Sequence, residues 1–308
     1  MNRFKLLVIG LTMLVSTMTR ATETINFFVG VSPAHSGAAF LTKQLEVANG
    51  LQDKYNFILH FKPGGGGVIA IKALNTSPTN SIVSVGPHFV KHVMDHKINE
   101  DDYSSLPASG VEMCTGIVSN VGSTDGGLDS LSNYKGKELL VGATSLGSPA
   151  HMIATAIAEK YGFTIKFIPF NSDPEAAVAV ASGTGVNLAL ASGRRYKTLL
   201  KDNNIQYLAT YCAKPDRDMP NAKLLSSYGF DNIPPIFMPT LARKEMPIEK
   251  QTEISYYIEL AADKMDKFTK MPWYMRPTID NWYVVRVSQQ KKFLTDYGQV
   301  KQSIVASN

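Results

Sequence analysis

Four turns, each joining a strand-like run to a helix-like run, collect the residues that could hold a small ligand. In "LLVGATSLGSPAHMIATAIAEKYGF" (139–163), Ser148 suits the position that caps a helix and Pro149 suits its first turn. Amides at a helix start have no partner inside the helix, and the aligned peptide dipoles behind them favour an anion. Small residues such as Ser145 and Gly147 let a ligand approach the backbone, and His151 falls in the first helical turn. "VSPAHSGAAF" puts Ser32, Ser36 and Gly37 in the same relation, and "KPGGGGVIAIKAL" puts Gly65 and Gly66 there. "SIVSVGPHF" ends its strand with Ser84 and Gly86. One capped helix is ordinary, but several such turns beyond strand carboxyl ends are where open α/β sheets place ligands.

Other chemistries fit less well. A phosphate-cradling loop needs Lys and a hydroxyl after its last glycine, whereas Gly67 is followed by Val68 and Ile69. The dinucleotide pattern fails because Ile69 stands where its third glycine belongs, so no cofactor is implied. No G-x-S-x-G elbow is present. An exported hydrolase could use Ser148 with His151, but nothing supplies an orienting acid or an oxyanion hole. His88, His92 and His96 recur every four residues and could present a metal-binding face. A solvated helix face accounts for them more simply, and no metal site is assigned. Asp173 and Glu175 precede a helical run, where acids favour the N-terminus, and Trp273 and Trp282 are read as packing residues.

The elements that must position these turns alternate along the chain. Strands are expected at 24–31, 57–63, 81–86, 139–145, 164–170, 185–192 and 205–212. Helices are expected at 37–51, 68–76, 149–161, 174–183, 194–203 and 246–270. That alternation argues for parallel α/β units. The tetrapeptide "SPAH" occurs at 32–35 and again at 148–151, each after a strand-like run, which fits two lobes of similar build.

Arg3 and Lys5 precede an apolar core, Leu6–Val15, and Ala21 offers a small residue for cleavage, the layout of a secretory signal peptide over 1–21. That core is about half the roughly 20 residues a membrane span needs, so the chain is not expected to cross a membrane. Three basic residues and no acidic ones leave with the signal, and the formal charge falls from +5 to +2. With no cluster of basic residues and interleaved aromatics, nucleic acid is not an expected partner. Cys114 and Cys212 in an oxidising compartment permit a disulfide, with two buried free thiols as the alternative.

The ordered segments resemble a known family, the solute-binding proteins of tripartite tricarboxylate transporters, often called Bug proteins. "FKPGGGGVIAIKAL" resembles the family's Pro-Gly-x-Gly-Gly segment, and Gly147, Ser148 and His151 match its Gly-Ser-x-x-His motif. "FIPFNSDPEAAVAVASGTGVNLALAS" resembles the stretch that carries Pro-Tyr-Lys-Gly and then a Gly-x-Val-Asp strand. Arg217 and Pro220 stand near the places of an Arg-x-x-x-x-Pro motif. The likeness runs from about residue 24 to about 270.

It implies a two-lobed periplasmic binding protein of type II-like α/β build, each lobe a mainly parallel sheet flanked by helices. It implies one lobe over 22–112 and 213–308 and the other over 113–212. Such a protein would take a small organic carboxylate between its lobes and deliver it to the membrane permease subunits of a tripartite transporter, with no catalysis. A ligand-sensing module for a membrane receptor is the alternative of the same build. The resemblance places the ligand among helix-start amides without a charged side chain. Departures fall at Ala38, Ala39 and Phe40, at Phe170, Asn171 and Ser172, and at Asn187, all expected near the ligand. Phe40 there would favour an apolar or aromatic acid. If the chain crosses between lobes near 112 and returns near 212, Cys114 and Cys212 would lie at the crossings and could join them.

The signal-peptide reading has a direct check. N-terminal sequencing of the exported protein is expected to begin at Thr22; a start at Met1 would refute it.

Overall fold

Apolar residues alternate through the first strand: Ile25, Phe27 and Val29 enter one core while Phe28 enters another on the opposite face. That is the consequence of successive side chains pointing to opposite sides of a sheet. The structure, a computed structural model, describes residues 22–268 apart from 87, 107–110, 123–125, 145–147, 193–198, 200–204, 213–218, 220–221, 232 and 234. Beyond these it describes 274–275, 287–292 and 294–295. The expected signal segment, Arg217, Pro220, both tryptophans and nearly all of the helix expected at 194–203 lie outside the described residues.

The first run comprises β1 (Glu23–Val29), α1 (Ser36–Leu51), β2 (Tyr55–Phe61), α2 (Val68–Asn75), β3 (Ile82–Ser84), α3 (His88–Met94) and β4 (Tyr103–Ser105). Then come β5 (Val111–Met113), β6 (Thr115–Ser119), β7 (Glu138–Ala143), α4 (Pro149–Tyr161), β8 (Thr164–Pro169), α5 (Asp173–Ala181), β9 (Leu188–Ser192) and β10 (Gln206–Tyr211). The chain goes on through β11 (Ile236–Met238), β12 (Thr240–Arg243), α6 (Ile248–Phe268) and β13 (Tyr274–Met275).

Three sheets result, ordered β2-β1-β3-β12-β4, β10-β6-β9-β7-β8 and β11-β5-β13. Both five-stranded sheets are mixed but mainly parallel, as expected: in each, four strands run one way and a single strand, β12 or β6, runs against them. The parallel trios are β2-β1-β3 and β8-β7-β9, whose links run through α1, α2, α4 and α5. The strands that join from outside these α/β units, β12 in one sheet and β6 in the other, run antiparallel to their neighbours. A parallel partner would need a crossover back along the sheet, which these connections do not make.

Each large sheet is covered on both faces. Phe40 and Leu41 of α1 and Ile254 and Ile258 of α6 pack on one side of the first, and Ile71, Leu74 and Phe89 on the other. Gln44 of α1 donates a 2.8 Å hydrogen bond to the Ile258 carbonyl, joining α1 to α6. In the second, Ile153 and Ile157 of α4 cover one face and Ala176, Ala177 and Val180 of α5 the other. Helix α4 keeps the bounds its ends dictate: the Ser148 hydroxyl accepts from the His151 amide, and Gly162 closes it with φ +75°.

The "SPAH" repeat does not mark equivalent positions. At its first occurrence the histidine is the capping residue, with His35 Nδ1 accepting from the Gly37 amide at 3.1 Å. At its second the serine caps, three residues earlier in the motif. The helix starts on different residues because a side chain that can accept the first free amide decides where it starts.

Cys114 and Cys212 form a disulfide with their Cα atoms 4.7 Å apart. They extend the antiparallel β6/β10 ladder by one pair beyond Thr115 and Tyr211. After Cys212 the chain stays with the second sheet, since Leu225 and Tyr228 are buried in its core. Strand β11 then pairs with β5. Removing the bridge by Cys114→Ser with Cys212→Ser is expected to cost about 4–5 kcal/mol for a loop of this length. Titration of unfolded, unreduced wild-type protein should find no free thiol; two would contradict the pairing.

Candidate ligand-binding cleft

A cavity of about 260 Å3 lies where the carboxyl ends of the parallel strands from both large sheets converge. From the first sheet come Ser32 and His35 after β1, Pro63 to Gly66 after β2, and Gly86 and His88 after β3. From the second come Thr144, Ser148, Pro149 and Ala150 after β7, and Asn171, Ser172 and Asp173 after β8. Thr115, Leu190, Ile236 and Met238 line it from the strands near the crossing.

The glycine turn owes its shape to backbone freedom. Gly66 has φ +61°, and a Cβ there would stand 2.7 Å from His92 Nε2 and 3.0 Å from His88 Cβ. Only glycine sits in that left-handed conformation without cost and leaves room for the two imidazoles. Opposite it, Gly30 approaches so closely that a Cβ would lie 3.1 Å from Gly67 Cα, and its amide donates to the Ser84 carbonyl at 2.9 Å.

The helix starts differ in what they leave free. At α4, Ser148 accepts from the His151 amide and Pro149 has no N–H. That leaves Ala150, which lines the cavity, as the first-turn amide without a capping partner among the described residues. At α5, the Ser172 hydroxyl accepts from the Glu175 amide at 3.4 Å, and Glu175 Oε2 accepts from the Asn171 amide at 3.2 Å. Glu175 thus caps as expected, whereas Asp173 reaches into the cleft.

The sequence-derived set divides accordingly. Ser32, Gly65, Gly66, Gly86, Ser148, Asn171 and Ser172 line the cavity. Ser145 and Gly147 lie outside the described residues, as does the side chain of Ser36, whose backbone begins α1. Gly37 is buried in α1 with its amide held by His35. Ser84 is fully buried within the sheet, paired to Val29 on one side and Thr240 on the other. His151 turns away from the cavity, its ring edge-on to Phe167 at 5.3 Å between centroids, because the side chain leaves the helix on the face that covers β8. Ser148 and His151 meet as a helix cap, through the Ser148 hydroxyl and the His151 amide.

Three of the expected departures also move. Phe40 is fully buried in the first core and does not shape the cavity. Asn187 bridges β7 and β9, donating from its backbone amide to the Leu140 carbonyl at 2.7 Å and accepting from the Leu140 amide at 2.9 Å. Phe170 packs in the second lobe's core near Gly142. His96 lies past the end of α3 with φ +55°, which breaks the spacing of the three histidines, and no metal-binding group occurs among the described residues.

Three titratable residues of the cleft were not assigned to it from the sequence: His35, His88, which was read as part of a helix face, and Asp173, which was read as a helix-start acid. Their signal was present only as isolated residue types, with nothing to say that they converge. His35 Nε2 stands 3.7 Å from Asp173 Oδ2, across the gap between the two sheets. Burial lowers the His35 pKa, against the pull of Asp173, and burial raises that of Asp173, against the pull of His35. Burial, reinforced by His92 and His35, brings His88 down to about 4. No lysine or arginine lines the cavity among the described residues.

This is the architecture of the periplasmic binding proteins. Among solved structures, the chain is similar to one described as a periplasmic transporter, with TM-score 0.75 and 13% identity over 90% of this chain and 96% of that one. It is similar to the periplasmic binding protein BugD, with TM-score 0.71 and 14% identity over 91% and 97% of the two chains. It is likewise similar to an R. palustris protein with adipate, with TM-score 0.72 and 15% identity over 90% and 97%. The Bug group that the motifs resemble is thus represented among structures sharing this fold. No family model and no curated protein matches the sequence.

The buried imidazole makes stability depend on pH. An unfolded histidine binds its proton near pH 6.5 and the folded His88 only near 4. Between those values the unfolded chain holds more protons, so stability falls as pH drops through the window. His88→Asn is expected to reduce the loss of urea midpoint between pH 7 and pH 4.5. An unchanged loss would mean that His88 is not the buried titrating group.

Proposed function

We propose that the protein is an exported solute-binding protein that captures a small organic carboxylate between two lobes and delivers it to a tripartite tricarboxylate-type membrane transporter. The observation that carries this reading is the cavity of about 260 Å3 between two covered sheets, lined from both by strand-end turns and helix starts. The adipate in a solved structure of the same fold supports the ligand class. A carboxylate in this cleft would take hydrogen bonds from main-chain amides and from Ser32, Ser148, Asn171 and Ser172. Charge-assisted bonds of that kind are about twice as strong as neutral ones.

In this reading the lobes meet at the strands β5 and β11, which act as the hinge, and contacts from both lobes favour the closed form. No helix among the described residues is long and apolar enough to cross a membrane, in keeping with delivery to a separate permease.

Ligand-stripped protein in a thermal-shift panel of mono-, di- and tricarboxylates and inorganic anions tests the proposal. A cognate carboxylate at a hundredfold excess over its Kd should add about 2.7 kcal/mol of stability. Silence across the carboxylates, or a response to phosphate or sulfate alone, would overturn the ligand class.

A further inference from the structure

Resting on the carboxylate reading above, we propose that Asp173 determines specificity, making the cleft a site for a small zwitterion whose cationic nitrogen meets Asp173 while its carboxylate meets the amides of the α4 start. The cleft is unequal at its two ends. Ala150 and Ser148 offer donors at the start of α4, whereas the start of α5 presents a carboxylate. Helix capping does not account for that carboxylate, because Ser172 and Glu175 already serve the α5 terminus. The Asp173 side chain keeps only 16% of its exposure and has no hydrogen bond among the described residues. His35 is its one charged-capable neighbour there, and at 3.7 Å it lies outside hydrogen-bond distance.

With Nδ1 accepting from the Gly37 amide, a neutral His35 carries its proton on Nε2. The one donor facing the buried Asp173 carboxyl among the described residues thus stands beyond hydrogen-bond distance, and a ligand ammonium would supply a closer one. Burial holds the Asp173 carboxyl toward its protonated form; an ammonium beside it would favour ionisation, whereas a ligand carboxylate would add like charge to the ionised form. The cavity lining supplies no lysine or arginine among the described residues to reverse this sign.

The test uses pairs of equal chain length that differ only at one end: succinate with 4-aminobutyrate, glutarate with 5-aminopentanoate, and adipate with 6-aminohexanoate. Calorimetric titration of ligand-stripped wild-type protein at pH 7.5 should show the amino acid favoured over its diacid by about tenfold or more at the best-fitting length. Asp173→Asn should lose a similar factor on the amino acid and gain on the diacid, with circular dichroism and Tm confirming that the variant folds. Wild-type preference for the diacid, unmoved by Asp173→Asn, would overturn the proposal and leave the carboxylate reading standing. Binding of no member of any pair would sink both, and the wild-type ranking decides even if the variant does not fold.

Discussion

A parallel strand followed by a helix leaves two kinds of backbone group at its carboxyl end: the last carbonyls of the strand and the first amides of the helix. In this protein two sheets direct those ends at one another, and a gap of about 260 Å3 lies between them. The gap depends on how the sheets are joined. Strand β5 leads directly into β6, β11 leads into β12, and β5 and β11 pair with each other. The disulfide ties the β6 and β10 ends beside that junction. These few residues set the facing of two otherwise separate cores, and every lining residue follows from that facing.

The lining of the gap is largely apolar, with a few polar groups that carry little charge. The imidazoles of His35 and His88 are held toward their neutral forms by burial. The hydroxyls of Ser148 and Ser172 are engaged in capping the helices they precede. Asp173 is likewise held toward its neutral form by burial, with His35 pulling the other way. In the proposed reading, fixed dipoles would meet one end of a guest and the Asp173 carboxyl the other, so the cleft would recognise polarity along the guest's length.

Much of the architecture was legible because its signals are local. Helix α4 runs over the 149–161 expected, since Ser148, Pro149 and Gly162 mark both its ends within the chain itself. Strands β1, β2 and β8 carry enough residues for an apolar pattern to register. The three-residue strands β4, β5 and β11 went unread, because so short a run exists as a strand only through its partner. The mixed direction of the sheets was hidden for the same reason: β12 and β6 owe their orientation to the crossing, not to their own residues.

The chain by itself determined where helices begin, which turns are built of glycine and small hydroxyl residues, and hence that Ser32, Gly65, Gly66, Gly86, Ser148, Asn171 and Ser172 would stand at strand ends. These depend on neighbours a few residues away, and capping and left-handed backbone are read at that range. Tertiary structure alone decided which way each side chain points from those ends. It sent His151 onto Phe167 and sealed Ser84 inside a ladder with partners on both sides. It brought His35 and Asp173, remote in sequence, to 3.7 Å across the gap. Facing is a property of two packed sheets, and neither sheet's residues encode it until the other is in place.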